Sequence, residues 1–175
     1  ATSPHAAALG HASQLQVTIA RHSNPEIFMT VHQSVLELIG NTPIVKTQHL
    51  DAGLCEIYLK LECTNPGGSI KDRIGLKMIG AAEKAGKIKA GDTLVEGTAG
   101  NTGIGLALVA QQKGYKLILV VPDKMSREKI FNLRAMGAEV ILTRSDVAKG
   151  HPDYYQDMAE RIANETPGAY FINQF

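Results

Sequence analysis

The sequence predicts an α/β fold, an open parallel sheet with helices on both faces. Three observations carry this. Strand and helix signals alternate in the order β-α-β-α-β-α-β, the pattern of parallel strands joined by right-handed crossovers. "YKLILVVP" (115–122) is a continuous apolar run, as a central strand covered on both faces requires. Two loops that leave strand ends for helix N-termini are small and glycine-rich, "NPGGSIKDR" (65–73) and "TAGNTG" (98–103). In open α/β sheets that is where ligands bind.

The elements follow in chain order. Residues 1–30 are rich in Ala, Ser and His, and no acidic residue precedes Glu26; they are expected to form a poorly ordered arm ahead of the domain at 31–175. "SVLELIG" reads as one helical turn stopped at Gly40, and "NTPIVKT" as a turn into an extended piece, because Pro43 pushes Thr42 out of the α region. In "EIYLKLE" the alternation of Ile57, Leu59 and Leu61 with Tyr58 and Lys60 predicts a strand. Ser69 opens a helix with Asp72 as its capping-box partner. Ile70, Ile74, Met78, Ala81, Ala82 and Ala85 form the apolar stripe of that helix, and Gly86 ends it.

"DTLVEGT" predicts the next strand. The helix after "TAGNTG" is apolar nearly all round, so it is buried. "SREKIFNLRAMG" is a helix capped by Ser126 and stopped by Gly137; "AEVILTR" is a strand, "DYYQDMAERIANE" a helix and "AYFINQF" a last strand.

Composition excludes several functions. Eighteen Lys and Arg against seventeen Asp and Glu leave a net charge of +1, so no nucleic-acid or membrane partner is indicated. No apolar run approaches the roughly 18 residues of a spanning helix. Cys55 and Cys63 form no C-x-x-C pair, and the six histidines have no metal-ligand spacing, so neither a disulfide framework nor a metal is expected. A reducing compartment, the cytoplasm, is the expected location.

Two loops are prepared for a ligand. Gly67 and Gly68 permit close backbone approach, and Lys71 then stands in the first turn of a helix, where the dipole disfavours an ammonium. An uncharged amine there attacks carbonyls; a solvated surface lysine beside Asp72 is the alternative. The second loop, Thr98-Ala99-Gly100-Asn101-Thr102-Gly103, gathers backbone amides, hydroxyls and one side-chain amide at a helix N-terminus, an anion site for carboxylate or phosphate. "GNTGIG" reverses the spacing of the dinucleotide fingerprint, and no Walker loop is present.

Taken together, "IGNTP" (39–43), "NPGGSIKDR" and "TAGNTG" resemble the pyridoxal-phosphate β-replacement enzymes of fold type II, cysteine synthase and cystathionine β-synthase, from about Leu36 to Phe175. The resemblance implies that Lys71 bonds the aldehyde of pyridoxal 5'-phosphate and later removes the substrate Cα proton. It implies that Asn101 hydrogen-bonds the cofactor's phenolic oxygen. Thr98, Ala99, Gly100, Asn101 and Thr102 would grip the substrate α-carboxylate, with Gln174 near it.

Ala99 stands where cysteine synthases commonly carry Ser. No cysteine precedes Cys55, so the haem site of animal cystathionine β-synthases has no counterpart. The family's phosphate cup and pyridine-nitrogen partner come later than "INQF", so the chain reads as the N-terminal part of a catalytic unit. With "KGHPDYY" (149–155), the motifs lean toward cystathionine β-synthase: serine or O-acetylserine as donor, a thiol or sulfide as acceptor. Cysteine synthase is the alternative, and a catalytically incompetent, partner-binding fragment is an alternative of another class. A homodimer is implied, with serine acetyltransferase as partner in the cysteine synthase case.

Overall fold

The computed structural model describes residues 16–19, 27–98 and 100–174. The chain divides into two compact units between Gln33 and Ser34. In the first unit β1 (Gln16–Ile19) pairs antiparallel with β2 (Ile27–Thr30), Gln16 opposite Thr30. The rest of the arm expected over 1–30 lies outside the described residues.

The second unit opens with a 3-10 turn, Val35–Leu38, whose N-cap Ser34 accepts from the Leu36 N–H. Gly40 follows at φ +95°, a conformation that favours glycine. The strand expected in "EIYLKLE" is present but short, Tyr58–Lys60. β3 (Ile44–Lys46) and β4 (Tyr58–Lys60) form a separate antiparallel ribbon, and all six of their residues are exposed. The chain leaves this ribbon through a second 3-10 turn at Glu62–Thr64 before entering the helix that follows.

That sheet is parallel and four-stranded. Its strands are β5 (Thr93–Gly97), β6 (Lys116–Pro122), β7 (Glu139–Thr143) and β8 (Ala169–Phe171), ordered β7-β6-β5-β8. Val95 lies opposite Ile118 on one side and Phe171 on the other. β6 is central, as its unbroken apolar run requires. β8 ends at Phe171, earlier than "AYFINQF" predicts, because Asn173 turns to φ +53°.

α1 (Lys71–Lys84), α2 (Asn101–Lys113) and α3 (Arg127–Ala135) pack into one core, where Ile79, Leu94, Leu106, Leu119 and Leu133 are almost wholly buried. α4 (Tyr155–Glu165) forms a second core with Val95 and Val120 through Ala159 and Ala163. Adjacent residues of one strand thus face different helices, as period-two alternation dictates.

Two features of α1 differ from expectation. The buried face is Asp72, Gly75, Ile79 and Ala82; of the expected stripe only Ala82 is fully buried, Ile74 and Met78 are half-buried, and Ile70, Ala81 and Ala85 are exposed. The reason is Gly75. A Cβ there would lie 2.7 Å from the carbonyl carbon and oxygen of Gly105, so α1 meets α2 backbone to backbone and smallness decides the face. The capping box also takes another form. Ser69 Oγ accepts from the Lys71 N–H at 3.2 Å, while the Asp72 carboxylate reaches past Ser69 to accept from Gly67 N–H.

Candidate functional site

β6 and β7 continue the sheet on one side of β5, and β8 lies on the other. The strand order therefore reverses at β5, and a crevice at the carboxyl ends of β5 and β8 is the expected ligand position. Three segments reach this end: the 98–101 loop entering α2, the Ile172–Gln174 turn beyond β8, and the start of α4. A Cβ on Gly97 would lie 2.6 Å from the Tyr155 carbonyl, so the first turn of α4 presses on the end of β5.

Within the 98–101 loop, the Thr98 N–H donates to Val120 O at 3.0 Å, extending the ladder by one residue. Thr98 Oγ1 accepts from the Gly100 N–H at 3.4 Å. Thr98 and Thr102 are buried within the turn, whereas Asn101 is exposed at its mouth. Ala99 lies outside the described residues. α2 begins at Asn101, so its first-turn N–H groups point to this end of the sheet.

Lys71 is brought to the same place by the helix contact. A Cβ on Gly105 would lie 2.6 Å from the Lys71 carbonyl oxygen and 3.0 Å from the Asp72 nitrogen. The first turn of α1 thus rests on α2 one turn beyond Asn101, and the Lys71 side chain is half-buried. A Cβ on Gly68 or on Gly100 would meet nothing within 4 Å, so both loops leave open space. An amine at the mouth of α1 and a side-chain amide at the mouth of α2, with open space at Gly68 and Gly100, are groups that a flat, aldehyde-bearing aromatic with a phenolic oxygen would use.

The third motif is tied in by a polar hub that sequence reasoning missed. Glu62 accepts from Arg73 Nε at 2.8 Å and from Arg73 Nη2 at 3.0 Å, and from Thr42 Oγ1 and Lys60 Nζ, both at 2.8 Å. These partners, Arg73 foremost, hold its carboxyl well below the usual carboxylate range. Asn65 Oδ1 accepts from the Gly40 N–H at 2.8 Å, and Asn65 Nδ2 donates to the Glu62 carbonyl. "IGNTP" is thereby fastened to the helix mouth that carries Lys71. The signal was present as Arg73 closing "NPGGSIKDR" and Glu62 preceding it.

Glu96 was missed as well. It is 1 % exposed near the carboxyl end of β5. Its carboxylate accepts from the Gly97 N–H at 3.0 Å and the Gln174 N–H at 3.3 Å, and from the Asn173 N–H. Burial pushes its pKa up to about 7 against these donors. A charged residue inside the apolar run of "TLVEGT" was the available signal. Gln174 itself is half-buried in the turn it shares with Asn173.

Among the described residues no group of three His, Cys, Asp or Glu is placed to hold a metal, and no helix is long and apolar enough to cross a membrane.

An open parallel sheet whose strand order reverses at β5, with small-residue loops entering helices there, defines a class: α/β proteins with a ligand crevice at the carboxyl ends of their strands. The chain belongs to the pyridoxal-phosphate dependent enzyme family, whose model matches residues 35–175. It is 46% identical over 157 residues to a cystathionine beta-synthase of Rattus norvegicus, covering 88% of this chain and 28% of that protein. It is 51% identical over 144 residues to a cysteine synthase from a Flavobacterium strain, covering 82% and 46%. The structure of an O-acetylserine dependent cystathionine beta-synthase from Helicobacter pylori superposes with a TM-score of 0.72 at 42% identity, covering 82% of this chain and 47% of that one. The chain thus spans less than half the length of these relatives, and its parallel sheet agrees with their fold-type-II architecture.

Proposed function

We propose that this chain is the N-terminal part of an enzyme that replaces the β-substituent of serine or O-acetylserine with a thiol or sulfide, in the manner of cystathionine β-synthase. One observation carries the reading: "IGNTP", "NPGGSIKDR" and "TAGNTG", far apart in the chain, are fastened together at one end of the sheet. Pyridoxal 5'-phosphate, when bound, supplies an electron sink for charge developing at the substrate α-carbon.

The protein's share is orientation and proton placement. Lys71 Nζ would hold the cofactor's aldehyde, and its amine would take the substrate α-proton. Asn101 Nδ2 would donate to the cofactor's phenolic oxygen. The 98–102 segment receives the substrate carboxylate at the N-terminus of α2, where backbone N–H groups and the helix dipole favour an anion, and Gln174 lies near it. Movement of this loop over the carboxylate excludes water from the reacting carbon.

The similarity to the Flavobacterium cysteine synthase supports a second reading within the class, sulfide with O-acetylserine. In that case serine acetyltransferase is the expected partner; in either case a cytoplasmic homodimer is expected. Incubating the full-length protein with each donor and with sulfide or homocysteine, and weighing the products, separates cysteine from cystathionine. The wild-type protein should be yellow and Lys71→Ala colourless. A full-length protein that takes up no cofactor would overturn the reading in favour of a partner-binding module.

A further inference from the structure

Glu96 has a task that Lys71, Asn101 and the anion loop leave unassigned. Its backbone leads directly into Gly97 and Thr98, the start of the anion loop. Its side chain turns to the neighbouring strand and takes hydrogen bonds from the N–H groups of Asn173 and Gln174. Asn173 sits at φ +53°, a left-handed conformation that costs energy for any residue but glycine and is best tolerated by asparagine. β8 pairs with β5 only as far as Phe171, with one further bond from the Ile172 N–H to Val95 O at 3.0 Å. Beyond that bond, the Glu96 carboxylate takes over as the acceptor for the backbone of this turn.

We propose that Glu96 is a positioning residue for the substrate-carboxylate site: by clamping the Asn173–Gln174 turn to the end of β5, it holds Gln174 and the Thr98–Thr102 loop to one common carboxylate. This rests on the β-replacement reading for the identity of that carboxylate, while the clamp rests on the hydrogen bonds alone. A carboxyl group serves here better than an amide. Each of its oxygens retains a lone pair whether or not it is protonated, so both can accept from N–H groups. A glutamine presents an NH₂ to one of the two sets of donors and leaves an N–H facing an N–H.

The test uses the full-length protein and two readouts. Glu96→Gln should speed amide exchange at Asn173 and Gln174 about tenfold, the size of one lost hydrogen bond, while amides of the α1–α2 core keep their protection. The KM for serine or O-acetylserine should rise about tenfold by the same reasoning, with kcat changed less than about threefold. In a double-mutant cycle with Gln174→Ala the two KM effects should not multiply, because Glu96 acts through that residue. Unchanged exchange in Glu96→Gln, an unchanged KM, or a fully multiplicative cycle would overturn the proposal. A wild-type protein without turnover on either donor counts against the β-replacement reading. The exchange measurement then decides the clamp by itself: lost protection upholds it and retained protection overturns it.

Discussion

Gly105→Ala tests whether Lys71, the proposed reactive lysine, is placed by the contact between two helix backbones. The added methyl would stand 2.6 Å from the Lys71 carbonyl oxygen, whereas ordinary contact begins near 3.4 Å, so α1 and α2 must part by about 0.8 Å. Every atom it meets is backbone, so no side chain can rotate away. Overpacking of this kind costs about 1–3 kcal/mol, and contacts this short belong at the upper end. Alanine returns about 1 kcal/mol through its better helix propensity. The net expectation is a loss of about 2 kcal/mol, read as a lower urea midpoint at unchanged m-value. The shift falls on the residue that carries the amine, and a misplacement of about 1 Å costs on the order of 100-fold in rate. Visible absorbance and turnover of the full-length variant should therefore fall further than stability does. A variant as stable as the wild type, with undiminished cofactor uptake, would refute the close approach and with it the account of how Lys71 is held.

Gly80→Ala, in the same helix but with open space around the new methyl, should stabilise by up to about 1 kcal/mol in the same urea assay. Glu96 gives a pH prediction. Its folded pKa of about 7 lies above the ordinary 4.5, so the folded state binds the extra proton and the stability contribution present below about pH 4.5 is lost as pH rises through 7. The loss is of the order of 3 kcal/mol for a carboxyl this deeply buried. Lys149, Asp157 and Glu160 line the same cavity and Tyr155 lies near, so the wild type must be compared with Glu96→Gln, which should lack this slope in urea unfolding between pH 5 and 8. Arg73→Ala removes the fork that joins Glu62 to the helix mouth; amide exchange at Gly40 should quicken while the sheet amides stay protected.

The alternating layers, the central place of β6, the buried α2 and the Ser126 cap of α3 were all legible in the sequence, because each depends on local periodicity or on a cap within one turn of its helix. The likeness of the three motifs to one family was legible too, since side-chain types at fixed spacing survive without coordinates. Three things were decided only in three dimensions. "EIYLKLE" carries a strand pattern that cannot say which partner it pairs with, and β4 joined β3 instead of the main sheet. The face of α1 was set by a glycine meeting a glycine thirty residues away, which the apolar stripe gives no hint of. Glu62 and Glu96 became the fastenings of the candidate site because donors converge on both, and for Glu96 burial leaves a carboxyl group stable only where they do. That convergence belongs to the folded chain, not to any stretch of it.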